Sequence, residues 1–535
     1  MNPVTSDVLV IGTGGAGLRA AIAAHEKGVH VVVVCKATAG FNNATVHAGG
    51  GFRAAVEGLT PKEHLEDTVR VGFNVNDPEM VKVFADEGGE RLLELKRFGV
   101  DMRVYKGGIS VGKSPYPRGM GMTKPMVDYI RGLGIRIIEN VIITKLLTKE
   151  GTITSAVGYD IKDDHPVTFT TKAIVLATGG AGALYKRTDC PLRTTGDGYS
   201  LAYNLGATFR DMEFVQFFPL ALAEPGYPPR LVGAGIVEEG HIVNKFGEDI
   251  PEKYGVTNRP LVLKSRGPLS VAMMREILGG NGVNGAVLLD ARDVYRKRGH
   301  EERFQKGRLA DYREKLDVEN RPIMIAPISH FFMGGIATDI NGEMGIPGLY
   351  AAGEVVGGVH GANRHGGNAL TAITVFGARA GEVAADYSKE AVETTINPTV
   401  EMEYYSNLRN QRPEGGVKPR IMMDQLRDLM WEKSGIVRTK EGLEECLIQV
   451  NAFRGRISNL YVDTPRDMLV ALELPMALDV AEMIIRSALE RKESRGAHFR
   501  VDYPELDESW VKTVVLRKYA NSMVVTTRPL RRSDM

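Results

Sequence analysis

Asp7 to Ile11 is a short apolar run that opens directly into Gly12-Thr13-Gly14-Gly15-Ala16-Gly17. Leu18 to Gly28 follows, alanine-rich with helical spacing, and ends on a glycine suited to a helix C-terminus. Val29 to Cys35 is another strand-like run. Strand, GxGxxG, helix and strand, in that order and within ~30 residues, constrain the fold more than any other stretch. Gly12 permits the tight turn, Gly14 lets backbone approach a pyrophosphate, and Gly17 lets the helix lie on the strand. The helix start at Gly15 and Ala16 adds N–H donors and the positive end of the helix dipole. The chain therefore begins with a dinucleotide-binding unit.

An acid normally ends the second strand of such a unit and holds a ribose hydroxyl. Cys35-Lys36 stand there instead, which favours FAD, held along much of a chain, over NAD. Cys35 is either a redox centre or a buried small residue. Phe41 to Arg53, with Thr45, Gly49 and Gly50, is either a loop laying backbone N–H groups near a flavin ring or a plain surface loop. Val141 to Lys149, Ile153 to Asp160 and Val167 to Thr171 read as a small strand set. Ala173 to Ala177 reads as a further buried strand, closed by Thr178-Gly179-Gly180. Asp197, before a helix at Tyr199 to Leu205, can either cap that helix or bind ligand hydroxyls.

A second ligand-like region comes late. His330 to Ile336, Gly348 to Glu354 and His360 to Leu370 bring two candidate catalytic side chains, His330 and Arg364, into a glycine-rich stretch. Glycine allows backbone to lie close against a flat ligand.

At 535 residues the chain exceeds what one core serves, so two or three domains are expected. Pro225 to Pro327 has more proline and charge and weaker periodicity, as an inserted lid or substrate domain would; it holds Ser265-Arg266. From Pro413 amphipathic helices dominate, at Ile421 to Trp431, Thr439 to Ser458 and Pro465 to Arg491. Arg491 to Arg500 is dense in basic residues, either a solvated face or a docking surface, and the tail from Trp510 alternates weakly and ends basic. A net charge of +1 offers no global field for nucleic acid or anionic membrane. Three scattered cysteines argue against a disulfide framework and fit a reducing compartment. They also cannot hold an iron–sulfur cluster, which needs four thiolates. No metal site is expected. No apolar run approaches the ~20 residues of a membrane span, so a cytoplasmic protein is expected, at a membrane only through a partner.

With these residues in hand, the chain resembles the flavoprotein subunits of fumarate reductase and succinate dehydrogenase, a family that includes L-aspartate oxidase. The resemblance runs nearly end to end through Gly12–Gly17, Ala177–Gly180, Thr195–Gly198, Met212–Gln216, His330–Ile336, Leu349–Glu354, His360–Leu370 and Arg491–Arg500. It implies an α/β, two-dinucleotide-binding-type FAD domain (residues 1–225 and 336–400) interrupted by an α+β capping domain (226–335). A helical domain (401–510) and a tail (511–535) follow. Gly12, Gly14, Gly17, Asp197, Glu354, Asn368 and Leu370 match positions that hold FAD in relatives. Gly15, Ala16, Lys36, Thr45, Gly49, Gly50, Ala177, Thr178, Gly179, Gly353 and Ala369 are expected beside them. Arg266 matches the proton donor of fumarate reduction, and His330 and Arg364 match the pair that grips a substrate carboxylate. Arginine suits a carboxylate because its planar fork bonds both oxygens. As an acid it is unusual, since its pKa exceeds ~12, so a dry, crowded site is required. The alternative for Arg266 is a structural salt bridge, and for His330 a satisfied core histidine.

The departures narrow the reading. Where the fumarate and succinate enzymes carry a histidine, this chain has Phe218; where they carry a Thr-Glu pair, it reads Leu231-Val232-Gly233-Ala234. A second buried carboxylate would lack donors there, at a cost of several kcal/mol. Phe218 and Val232 are therefore expected to line an apolar half-site. The substrate would be a small unsaturated carboxylate or thioester with one carboxylate or carbonyl held by Arg364 and His330. The histidine that links FAD covalently in membrane-bound relatives is replaced by Ala44, so FAD should be non-covalent. Electrons would come through an iron–sulfur subunit. Plain fumarate is the alternative substrate, and an L-aspartate oxidase-like enzyme and a non-catalytic electron relay are the alternative functions.

Overall fold

In the computed structural model, which describes residues 3–112, 118–394, 396 and 398–530, the first strand, Val4–Ile11, lies inside a seven-stranded sheet. Val31–Val34 and then Arg136–Ile138 extend it in parallel on one side. On the other side lies His165–Leu176, a single 12-residue strand where the polar Thr170-Thr171-Lys172 interruption suggests two. The ladder survives because Lys172 Nζ reaches Asp7 Oδ1 at 2.8 Å and Thr171 Oγ1 bonds the Ala173 carbonyl at 2.9 Å.

The outer edge of that long strand is shared. Its first half pairs antiparallel with Thr152–Asp160, and its last residues pair in parallel with Leu349–Ala351. This second pairing carries the late glycine-rich stretch to the N-terminal turn. The helices Gly15–Glu26 and Asn368–Glu390 then pack along each other. Their approach requires Gly377 and Gly381, where a Cβ would come 2.7 Å from Ala16 O and 2.2 Å from Ala20 O. Both helices therefore start at the same end of the sheet.

The capping unit is a four-stranded antiparallel sheet in the order Val215–Leu222, Ile323–Phe332, Val287–Asp290, His241–Val243. Leu220, Val237, Leu269, Met273, Tyr295 and Ile325 belong to its own core. Its two longest strands lead out of and back into the domain of the seven-stranded sheet, which places His330 and Phe218 at the junction.

The three C-terminal periodic stretches are helices Pro419–Lys433, Lys440–Gly455 and Pro465–Glu490. The basic run after them is not a solvated face. Arg491, Arg495 and Arg500 are 0%, 2% and 1% exposed. Arg491 Nε bonds Glu213 Oε1 at 2.5 Å, and Glu493 Oε1 takes both Arg491 Nη1 at 2.9 Å and Arg495 Nε at 2.7 Å. Glu213, brought from elsewhere in the chain, and Glu493, within the run itself, satisfy the charges, so the run clamps the helical domain to the segment entering the cap. The tail forms a hairpin of Lys512–Tyr519 with Ser522–Pro529; the basic residues 531–535 lie outside the described residues. Among the described residues no helix is long and apolar enough to cross a membrane.

Candidate active site

An elongated cavity of about 460 Å³ runs from the N-terminal turn to the cap, within the range of small-molecule sites. At one end Gly12, Gly14, Gly15 and Ala16 form its floor. Gly12 has φ +118°, and a Cβ there would stand 2.2 Å from Ala177 O, while one on Gly17 would stand 2.0 Å from Gly12 O. The turn is thus closed against the neighbouring strand and helix, and only glycine fits.

Ala177, Thr178 and Gly179 line the same end, with Val141 and Ile143 beside Cys35 and Lys36. The buried Thr178 hydroxyl has no protein partner among the described residues, which leaves it for a polar ligand. Lys36, in place of the usual acid, extends Nζ to Asp197 Oδ2 at 2.6 Å and Glu473 Oε1 at 2.8 Å. Asp197 makes no side-chain cap to its helix; it takes the Lys36 ammonium and the Thr195 hydroxyl, the latter at 2.8 Å. Burial pushes the Cys35 thiol up to about 11, so it is a packed thiol and not a redox-ready thiolate.

The middle of the cavity is lined by Thr45 and Gly49 on one side and Ala369 and Leu370 on the other. Thr45 lies on a short helix, Ala44–His47, whose Asn43 cap accepts from Val46 N at 3.1 Å, and its own hydroxyl accepts from Gly15 N at 3.1 Å. Glu354 reaches the cavity from beyond Leu349–Ala351 and accepts from Phe332 N at 3.0 Å. Burial raises its carboxyl to about 7. The glycine floor, the orphan Thr178 hydroxyl and the small side chains around Gly49 and Ala369 fit a dinucleotide flavin.

At the far end stand Arg266, His330, Arg364 and Phe218. Arg364 lies over the Phe331 ring at 4.5 Å, and Arg266 over Phe218 at 5.0 Å. Among the described residues neither makes an ion pair, and the Nε of each is buried without a partner. Burial, then the charge of Arg266, pulls Arg364 down to about 9; burial pulls Arg266 to about 10. Gln216 ties them together, accepting from Arg266 Nη1 at 3.4 Å and donating to the Arg364 carbonyl at 3.0 Å. His330 turns Nδ1 to Asp189 Oδ2 at 2.8 Å.

Some expected contacts fall elsewhere. Asn368 is buried behind the cavity wall, where its amide meets His64 Nε2 at 3.1 Å and Thr68 Oγ1 at 2.9 Å. Val232 packs into the capping core and Leu231 takes the lining place, because neighbouring extended residues point to opposite sides. Gly17, Gly50 and Gly353 do not line this cavity; Gly17 serves helix–strand contact, and a Cβ on Gly353 would stand 2.8 Å from Ala16 Cβ. Glu238 and Glu239 turn away, to Arg259 and to Arg298 with Arg303. Asp189, Cys190 and Arg193 line the cavity unforeseen. Among the described residues no group of three or more His, Cys, Asp or Glu could hold a metal ion.

Known proteins agree with this architecture. Residues 7–370 match the FAD binding domain model, and 423–535 match the fumarate reductase flavoprotein C-term model. A protein of Methanothermobacter marburgensis, named as one of the subunits of a fumarate reductase (CoM/CoB), is 34% identical over 96% of this chain and 97% of its own. An L-aspartate oxidase of Nostoc sp. is 30% identical over 97% of this chain and 94% of its own. The FrdA chain of a mutant E. coli quinol fumarate reductase superposes with a TM-score of 0.88 at 29% identity, covering 100% of this chain and 98% of that one. With domain models, relatives and solved structure in agreement along its length, the chain belongs to the fumarate reductase and succinate dehydrogenase flavoprotein family and is an FAD-dependent oxidoreductase of that type.

Proposed function

We propose that the enzyme adds hydrogen across, or removes it from, a carbon–carbon bond beside a single carboxylate or thioester carbonyl, with the rest of the substrate on an apolar wall. The supporting observation is the pair of buried guanidiniums, Arg266 and Arg364, without carboxylate partners among the described residues and with Phe218 and Leu231 in the same wall. Buried cations without acids are costly, and a substrate anion relieves that cost. With Arg364 holding the first carboxylate and Arg266 committed to the proton, a second carboxylate would face Phe218 and Leu231.

Bound FAD supplies the hydride donor or acceptor. Arg364 and His330 hold the substrate's oxygens and steady the negative charge that develops there. Arg266 holds the proton for the other carbon, and burial loosens that proton. Gln216 fixes Arg266 relative to the Arg364 loop. Ala44, at the position to which the family resemblance gives a linking histidine, has no side-chain atom that could bond a flavin, so FAD is held non-covalently; flavin left on the protein after acid precipitation would contradict this.

An iron–sulfur partner supplies the electrons. The three cysteines are separate, buried free thiols, too few for a cluster, and relatives are named as subunits. Free thiols also fit the cytoplasm.

The test is equilibrium binding of crotonate, read as a perturbation of the flavin absorption. The anion needs a protonated Arg364, so affinity is full below about pH 9 and falls about tenfold per pH unit above it. Crotonate binding in Arg364→Ala as tight as in the unaltered enzyme would rule out Arg364 as the anchor.

A further inference from the structure

Nothing so far assigns a role to the acid beside His330. Asp189 lies in the loop between the strand His165–Leu176 and the helix Asp197–Asn204. That loop is stitched to the strand carrying His330. Ser329 N donates to Arg187 O at 2.9 Å, and Asp189 N donates to Ser329 O at 3.2 Å. The Thr188 hydroxyl donates to the same carbonyl at 3.3 Å. Backbone bonds on both sides of Thr188 therefore set the Asp189 carboxylate against the imidazole, where Oδ2 meets Nδ1 at 2.8 Å. A carboxylate only accepts, so Nδ1 carries the hydrogen. The Phe218 ring packs at 5.5 Å on the imidazole, and Nε2 has no hydrogen-bond partner among the described residues.

We infer that Asp189 is a positioning residue, which holds His330 by Nδ1 so that Nε2 is presented to the substrate's carboxylate or carbonyl oxygen. When Nε2 also carries a hydrogen and donates it, Asp189 balances the charge on the ring. This mirrors the general arrangement in which the bond at one imidazole nitrogen decides what the other can do. The inference rests on the reading of His330 as a substrate ligand.

A double-mutant cycle on the FAD-loaded enzyme tests it, with crotonate binding read from the flavin spectrum. Asp189→Ala should weaken crotonate binding about tenfold to a hundredfold, the range for losing a charged hydrogen bond. Asp189→Asn, whose amide oxygen can still accept from Nδ1, should recover part of that loss. In a His330→Ala background, Asp189→Ala should have no further effect, because its action passes through the ring. Equal losses from Asp189→Ala in both backgrounds would overturn the positioning role and make Asp189 a structural residue. Unchanged crotonate binding in His330→Ala alone, or no crotonate binding by the unaltered enzyme, would overturn the underlying reading of the site.

Discussion

Arg266→Ala is expected to slow reoxidation of the reduced enzyme by its unsaturated substrate about a hundredfold to ten-thousandfold, the usual span for losing a positioned acid. FAD content and substrate affinity should change far less. Arg266 is the first residue of the helix Arg266–Leu278, where the positive end of the helix dipole favours giving up a proton. Its guanidinium lies over Phe218 at 5.0 Å, its Nε has no partner among the described residues, and burial pulls it to about 10. Glu238 and Glu239 cannot substitute, since they are occupied with arginines outside the cavity. Arg266→Lys should fall between, keeping a proton but losing the planar fork. Rapid-mixing rates near those of the unaltered enzyme in Arg266→Ala would refute the assignment.

Gly12→Ala is expected to weaken FAD binding by roughly a hundredfold or more, from about 3 kcal/mol of combined strain and clash. The residue has φ +118°, and the new methyl would stand 2.2 Å from Ala177 O. That carbonyl belongs to the backbone next to the closing strand and cannot swing aside as a side chain could. Gly28 is the control: it has φ +81° but open space around it, so Gly28→Ala should cost some stability and leave FAD in place. Fluorimetric titration of apoprotein with FAD separates the two. Equal FAD affinity in both variants would mean that the turn does not cradle the cofactor.

Local pattern carried much of this architecture. The βαβ unit, the C-terminal helices and the glycine clusters are all written in short-range spacing, and Arg266, His330 and Arg364 do meet at one end of one cavity. What local pattern missed depends on partners far away in the chain. The Arg491 to Arg500 run reads as a solvated face or a docking surface because Glu213 reaches Arg491 only through the fold. Asp189 was overlooked for the same reason, since its partner His330 lies on a strand of another domain. Leu231 and Val232 differ by one step of an extended chain, and a one-residue phase decides which side each faces. The bridge from Ala221 to Leu231 sets that phase. Asn368 begins a helix, and its amide bonds Thr68 and His64, which lie some 300 residues earlier in the chain, instead of facing the cavity.

The central claim is that the grip for one carboxylate is kept and the other half of the site is apolar. Photoreduced enzyme, held without oxygen, should be mixed in turn with fumarate, crotonate and a crotonyl thioester while flavin reoxidation is followed. The account predicts reoxidation by the monocarboxylate or the thioester at a rate well above that with fumarate. Fumarate as the fastest acceptor would contradict it.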